Sequence, residues 1–297
     1  MTQTNPGIGL TPSPADQELM EKALRSLSSL PPFSPILTRL LASLAEEDVS
    51  FSALGDLIEK DAVVAANILH LVNSALYART GTISSVRHAI SLLGTNKLRN
   101  AVLGMSIARV WNRVKMPSSW SMARFNMHSA AVALLSDLLA QRLPVAYPEG
   151  AFVAGLLHDV GRLLLALGLP NEYMRILELY DDSGRRTLVE CEREIVGFTH
   201  AELSAQALRV WKLPEEIQIA VRDHHSSPAE SDKGIPLSHV LDAANQYANS
   251  SGITILVVNH DGADPKAVEL LGLDEDKLKS LLVEFREENN AMAVYFR

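Results

Sequence analysis

AFVAGLLHDVGRLLLALGL, residues 151–169, is apolar except for His158, Asp159, Arg162 and three glycines. A run this apolar belongs in a core, and a carboxylate buried there must be neutralised by a cation, a hydrogen-bond network or a proton. Read as one helix from Pro148 to Leu167, the stretch places His158 and Asp159 about 100° apart around the axis, so the two side chains can grip neighbouring positions around one ion. Gly161 lets another backbone approach. Arg162, one turn after His158, is placed to face an anion such as a phosphate.

Four more histidines extend the pattern. His128 lies mid-helix in RFNMHSAAVALL, His200 precedes the helical run AELSAQALRVW, and His224 and His225 close EEIQIAVRDHH with Asp223 beside them. Singly, each has a bland reading. A lone His128 is more often a satisfied core histidine. His224 and His225 at a helix C-terminus complement the macrodipole. Asp159 can pair with Arg162. The joint arrangement is what points to a divalent metal. Imidazole suits Zn, Fe, Ni and Mn, and a mixed His and Asp set holding one or two ions is a common means of activating water for phosphate-ester cleavage. Asp159 and Arg162 are the candidate catalytic residues. His70, His88, His239 and His260 fit no such pattern and read as structural.

Composition sets the frame. The 297 residues are 47% hydrophobic and 21% charged, with aromatics at 5%, so the core must be built mainly from Leu, Ala, Val and Ile. Leu and Ala favour helix-on-helix packing. A net charge of −8 argues against general nucleic-acid binding, which needs a basic surface to release counterions. Cys191 is the one cysteine, so no intrachain disulfide can form. The N-terminus lacks the basic start and apolar core of a signal peptide. The long apolar runs are broken by His158, Asp159 and Arg162, short of the roughly 20 residues of a membrane helix. These features lead us to expect a cytoplasmic protein without a membrane anchor.

Helical periodicity runs through the chain from Asp16, which is expected to cap the first helix, after a Pro-, Gly- and Ser-rich tail over residues 1–15 expected to be disordered. Pro31, Pro32 and Pro35 separate it from a helix over Ile36–Leu44. Asp61 is placed to cap AVVAANILHLVNSALY, apolar nearly all round and so expected to be deeply buried. Gly94 punctuates the next two helices. Only ITILVV, residues 253–258, has strand-like composition, and one short strand cannot make a sheet. The expectation is an all-α multi-helix bundle. Its parts would be an N-terminal helical subdomain over 16–115, a histidine-bearing part over 116–250 and a helical extension over 251–297.

With these residues in view, the chain resembles a known family. LLHDVG is similar to the signature of the HD superfamily of metal-dependent phosphohydrolases. LPPFSPILTRLLASL, LGDLIEKDAVVAANILHLVNSALYA, ISSVRHAISLLGTNKLRNAVLGM and FTHAELSAQALRVWKLPEEIQIAVRDHH resemble its HDOD branch, which is linked to bacterial signal transduction. The resemblance covers about residues 26–250 and implies an HD-like helical bundle. By similarity to the related HD-GYP enzymes, which cleave cyclic di-GMP, it implies metal ligands at His128, His158, Asp159, His200, His224 and His225.

Three departures stand out. The position implied for the last acidic ligand is Asn245, with Asp242 three residues earlier as a substitute. The lysine usual after HD-x-G is Arg162, and no GYP segment follows His225. HDOD domains are generally regarded as regulatory. The leading reading is therefore a signal-transduction module with a degenerate HD metal site that binds signalling proteins or a nucleotide or phosphate ligand. The alternative is an active phosphohydrolase acting on a nucleotide or cyclic dinucleotide. A third reading is a helical adaptor whose histidines form a buried polar network without an ion.

Overall fold

The structure is a computed structural model and describes residues 13–45, 51–74, 82–180, 186–226, 234–256, 266–269 and 271–296. It is all-α. The helices are α1 (Pro14–Arg25), α2 (Pro35–Ala42), α3 (Phe51–Glu59), α4 (Ala62–Val72), α5 (Val86–Leu93), α6 (Thr95–Trp111), α7 (Met122–Ala140) and α8 (Ala151–Leu157). They continue with α9 (Val160–Gly168), α10 (Pro170–Leu179), α11 (Leu188–Val196), α12 (His200–Val210), α13 (Glu215–Asp223), α14 (Leu237–Ser250), α15 (Lys266–Glu269) and α16 (Glu275–Met292). Among the described residues there is no strand. Residues 253–256 of the strand-like ITILVV are irregular, and 257–258 lie outside the described residues.

Local chemistry sets most boundaries. Ser13, not Asp16, caps α1: its hydroxyl accepts from the Asp16 N–H while the Asp16 carboxylate accepts from the Ser13 N–H, a reciprocal capping box. The helix therefore begins inside the segment expected to be a disordered tail. Asp61 caps α4 as its position suggests, accepting from Val63 N and Val64 N. Gly94, at φ +80°, turns the chain between α5 and α6.

Two expectations fail on packing. α4 is not buried all round. It buries Val64, Ile68, Leu71 and Val72 on one face and leaves Val63 exposed, because it lies at the margin of the bundle. α8 is buried at every residue, and α6, α7 and α9 are buried over most of their surface, where small residues let neighbours close in. The apolar run 148–168 is also not one helix. α8 ends at Leu157 and α9 begins at Val160, with Asp159 at φ −102°, ψ 11° between them. The stretch is long and apolar enough to cross a membrane, but it is buried inside the bundle.

α7 is the axis of the site-bearing half, packed against α8, α14 and α16, while α12 packs on α9 and α13. Gly155 makes the α7–α8 contact: a Cβ there would stand 2.5 Å from Ala133 Cα, a backbone atom that cannot give way alone. At the start of α14, Ile235 N donates to Pro144 O (2.8 Å) and Ala146 N donates to Ile235 O (3.0 Å), which clamps α14 to the α7–α8 connection. α16 is held by a charged cluster in which Lys97 reaches Glu288 (2.5 Å) and Glu284 (3.2 Å), and Arg142 pairs with Glu284.

Gly155→Ala is expected to cost about 1–3 kcal/mol or more by overpacking the α7–α8 seam, read as a lowered urea midpoint. Asp137, on α7, is pushed up to about 6 by burial, despite hydrogen bonds from Gln141 and Asn100 and the nearby Arg99. Between its ordinary value of 3.8 and about 6 the folded chain holds a proton that the unfolded chain has released. This group's contribution to stability therefore falls as pH rises through that window. Asp137→Asn should flatten the melting temperature across the window and raise it most near pH 7.

Candidate metal centre

Five elements converge on one buried locus. α7 contributes His128, the α8–α9 break contributes His158 and Asp159, the first turn of α12 contributes His200, the C-terminus of α13 contributes His224 and His225, and α14 contributes Asn245. The break matters. A continuous helix would keep the backbone at Asp159 helical, whereas the turn lets the carboxylate approach three imidazoles. Asp159 Oδ2 lies 3.5 Å from His158 Nε2 and 3.8 Å from His128 Nε2, and Oδ1 lies 3.1 Å from His200 Nε2. Gly161 permits the approach of α12: a Cβ there would fall 2.0 Å from the His200 carbonyl oxygen, and the Gly161 N–H donates to Ser204 Oγ at 2.8 Å.

The orientation of the rings is the most informative feature. His128 Nδ1 bonds the Ile253 carbonyl (2.7 Å), His158 Nδ1 that of Gly155 (2.8 Å) and His224 Nδ1 that of Val221 (2.6 Å). A carbonyl only accepts, so each Nδ1 carries the proton and each Nε2 presents a lone pair. All three Nε2 atoms are buried and lack a hydrogen-bond partner. An orphaned buried acceptor costs on the order of 1–3 kcal/mol. Three of them facing one locus form a cradle for a cation.

Charge follows the same plan. Burial, reinforced by the neighbouring His158, pushes His128 down to about 4. Burial likewise lowers His158, and it lowers His224 well below its ordinary value, with His225 and His158 adding to the effect. These rings are neutral near pH 7. His200 goes the other way. Burial opposes its charge, but the Glu192 and Asp159 carboxylates raise it to about 9. Burial also opposes charge on Asp159, yet His158, His200 and Arg162 hold its carboxyl well below the usual range. Asp159 is thus a carboxylate compensated by a protonated His200 and by Arg162, whose Nη1 donates to Oδ2 at 3.1 Å.

The residues present fit a divalent metal. His128, His158 and Asp159 form one ligand group and His200, His224 and His225 a second, each with donor atoms within 4.8 Å of one another. An ion held there would supply Lewis-acid polarisation of a phosphoryl oxygen. His225 is exposed, and its Nε2 lies 3.0 Å from His200 Nε2. Asn245 lines the adjoining cavity of about 250 Å³ with Arg162, Asn249, Thr254 and Tyr180. Its Oδ1 accepts from Asn249 Nδ2 at 2.9 Å. Asp242 does not substitute for it. Its carboxylate accepts from Gln246 Nε2 and stays outside the cavity lining. Arg162 does not stand free for an anion alone, since Asp159 engages one of its nitrogens, but Nε and Nη2 are buried without a partner.

Glu192 is a site residue outside the set expected from the sequence. It is buried on α11, accepts from the His200 backbone N–H at 2.8 Å and bonds His200 Nδ1 at 2.7 Å. The signal was present: Leu188, Cys191, Glu192, Ile195 and Val196 form one helical stripe, and a glutamate inside an apolar stripe needs a buried partner. The Ile253 carbonyl had no such signal, because its role is set by the path of a loop.

The pattern of the HDOD domain family matches residues 30–227, two thirds of the chain. The chain belongs to the HDOD domain family. An HDOD domain protein of unknown function from Geobacter sulfurreducens has the same fold, with a TM-score of 0.73 at 25% identity over 94% of this chain and 97% of that one. At lower identity the likeness is one of fold alone. A Shewanella amazonensis chain described as a phosphohydrolase has a TM-score of 0.69 at 22% identity, covering 93% of this chain and 98% of its own length. A Marinobacter aquaeolei VT8 chain described as a signal transduction protein has a TM-score of 0.68 at 21%, covering 95% and 66%. An uncharacterized protein of Treponema pallidum (strain Nichols) is 23% identical over 222 residues, 74% of this HDOD chain, which spans 42% of that protein's length.

If the cradle holds an ion, removing it with a chelator lowers the melting temperature through linkage. Glu192→Ala, which frees the His200 ring, is expected to weaken metal affinity about 10–100-fold. Melting curves with and without EDTA read the first effect, and isothermal titration with Mn or Zn on metal-stripped protein reads the second, with the variant's own melting curve as the control for folding.

Proposed function

We propose that this HDOD protein is a signalling module of the bacterial cytoplasm that acts by binding a protein partner or ligand, and that its HD centre retains a divalent metal but lacks hydrolytic strength. One observation carries the reading. Where the resemblance calls for a carboxylate, the cavity wall has Asn245, an uncharged amide already engaged by Asn249. Two divalent ions bring four positive charges, and the ligand set answers with the single carboxylate of Asp159, which Arg162 already partly neutralises. Glu192 helps only through His200. Such a balance favours one ion over two and weakens the field that hydrolysis needs. The fold-level likeness to a chain described as a signal transduction protein is in keeping with this role.

A second reading, a metal-dependent phosphohydrolase, is supported by Arg162. Its Nε and Nη2 are buried, unpartnered and beside the cavity, where a phosphate oxygen would satisfy them.

One set of measurements separates the two. Purified without a histidine tag, the protein should contain about one equivalent of Fe, Mn, Ni or Zn by mass spectrometry. It should not turn over cyclic di-GMP or bis(4-nitrophenyl) phosphate with any of these metals. Asn245→Asp should raise metal occupancy. Turnover by the unmodified chain that disappears in His158→Ala would overturn the regulatory reading, and a metal-free protein that gains no metal on reconstitution would overturn the ion-binding one.

A further inference from the structure

On the N-terminal half lies a hollow of about 450 Å³, formed by α4, the C-terminal part of α6 and the turn after α16. None of its lining residues belongs to the metal centre. Val64 and Met105 form an apolar floor, and Val63 and Val294, 49% and 60% exposed, stand at its edge. Exposed valines are costly to leave in water as a pair around a concavity, and such patches mark binding surfaces.

The polar part of the lining is basic. Arg109 and Arg113 lie one turn apart on and just past α6. Arg109 Nη1 reaches Asp61 Oδ2 at 3.3 Å, but Asp61 also uses its other oxygen to cap α4. Arg113 is exposed and has no acidic partner among the described residues. In a chain of net charge −8, an unneutralised arginine beside exposed valines is a local reversal of the surface. The wall is fixed in place: Tyr295 Oη bonds His70 Nδ1 at 2.7 Å, and Asn112 Oδ1 accepts from Asn126 Nδ2 at 2.8 Å. Arg, Met and Tyr around an apolar hollow match the composition of protein interfaces.

We infer that this hollow docks an acidic, amphipathic segment of a partner protein, with an apolar side chain seated on Val64 and Met105 and carboxylates facing Arg109 and Arg113. The charge of the hollow selects the partner: a segment rich in Asp and Glu is drawn to it, and a basic one is repelled. The inference goes beyond the metal centre and does not depend on its occupancy.

The test is selection of a phage-displayed library of helical peptides, with Asp, Glu, Lys, Leu and Phe allowed at the varied positions, on the full chain. Selected peptides are then measured by fluorescence anisotropy. Acidic peptides with Leu or Phe at helical spacing should be enriched, and their affinity should fall at least about ten-fold on Arg113→Glu and on Val294→Ser. Both substituted side chains are exposed, so melting curves and metal content should stay at wild-type values. That separates failure of this surface from failure of the metal-centre reading. The inference is overturned by no enrichment, by equal affinity for both variants, or by displacement of the peptide with GMP at stoichiometric concentration, which would assign the hollow to small anions. A concentration-dependent dimer in sedimentation that Val294→Ser abolishes would also overturn it, by assigning the face to a second copy.

Discussion

The Asp159 carboxylate is a negative charge in a place with almost no water, and the site is organised around that fact. A buried carboxylate without compensation would take up a proton or unfold its surroundings. Here it is met by a guanidinium three residues on and by a protonated imidazole from α12, while the neutral imidazoles of His128 and His158 turn lone pairs toward it and leave a gap that a cation would fill. Arg162 is local, but the His200 imidazolium comes from an element remote in sequence, so the bundle must close before the charge is fully compensated. Stability and ligand geometry are in this sense one requirement. The same interactions that keep Asp159 ionised hold the side chains where an ion would meet them.

Much of this arrangement was legible in the sequence. His128, His158, Asp159, His200, His224 and His225 could be picked out because imidazoles and carboxylates interrupt apolar periodicity, and Gly161 because a tight approach needs a residue without Cβ. The all-α class was legible in the helical spacing of Leu and Ala. What was not legible depended on tertiary position. Hydropathy marks α4 as deeply buried, but burial follows where a helix sits, and Val63 lies at the margin. Periodicity also cannot register a two-residue break inside an apolar run, so the turn at His158 and Asp159 leaves no mark in the sequence. Glu192 could have been found from its stripe. The orienting carbonyls of Gly155, Val221 and Ile253 could not, since every residue type carries one.

The two surfaces of interest have opposite character. The histidine cavity gathers imidazoles and a carboxylate, and the hollow at α4 and α6 gathers arginines and valines. They are joined through well-packed structure: α6 packs against α7, and α7 carries His128. That packing makes the connection between them rigid, because closely packed interiors transmit strain instead of absorbing it.

The bond from His128 to the Ile253 carbonyl has a wider meaning. Ile253 follows α14, and the chain beyond it leads to α16, which packs on the helix that carries His128. The turn that follows α14 therefore sets the orientation of an imidazole at the centre of the protein. A substitution just after α14 that displaces the Ile253 carbonyl would therefore release the tautomer and direction of the His128 ring without replacing any of the histidines.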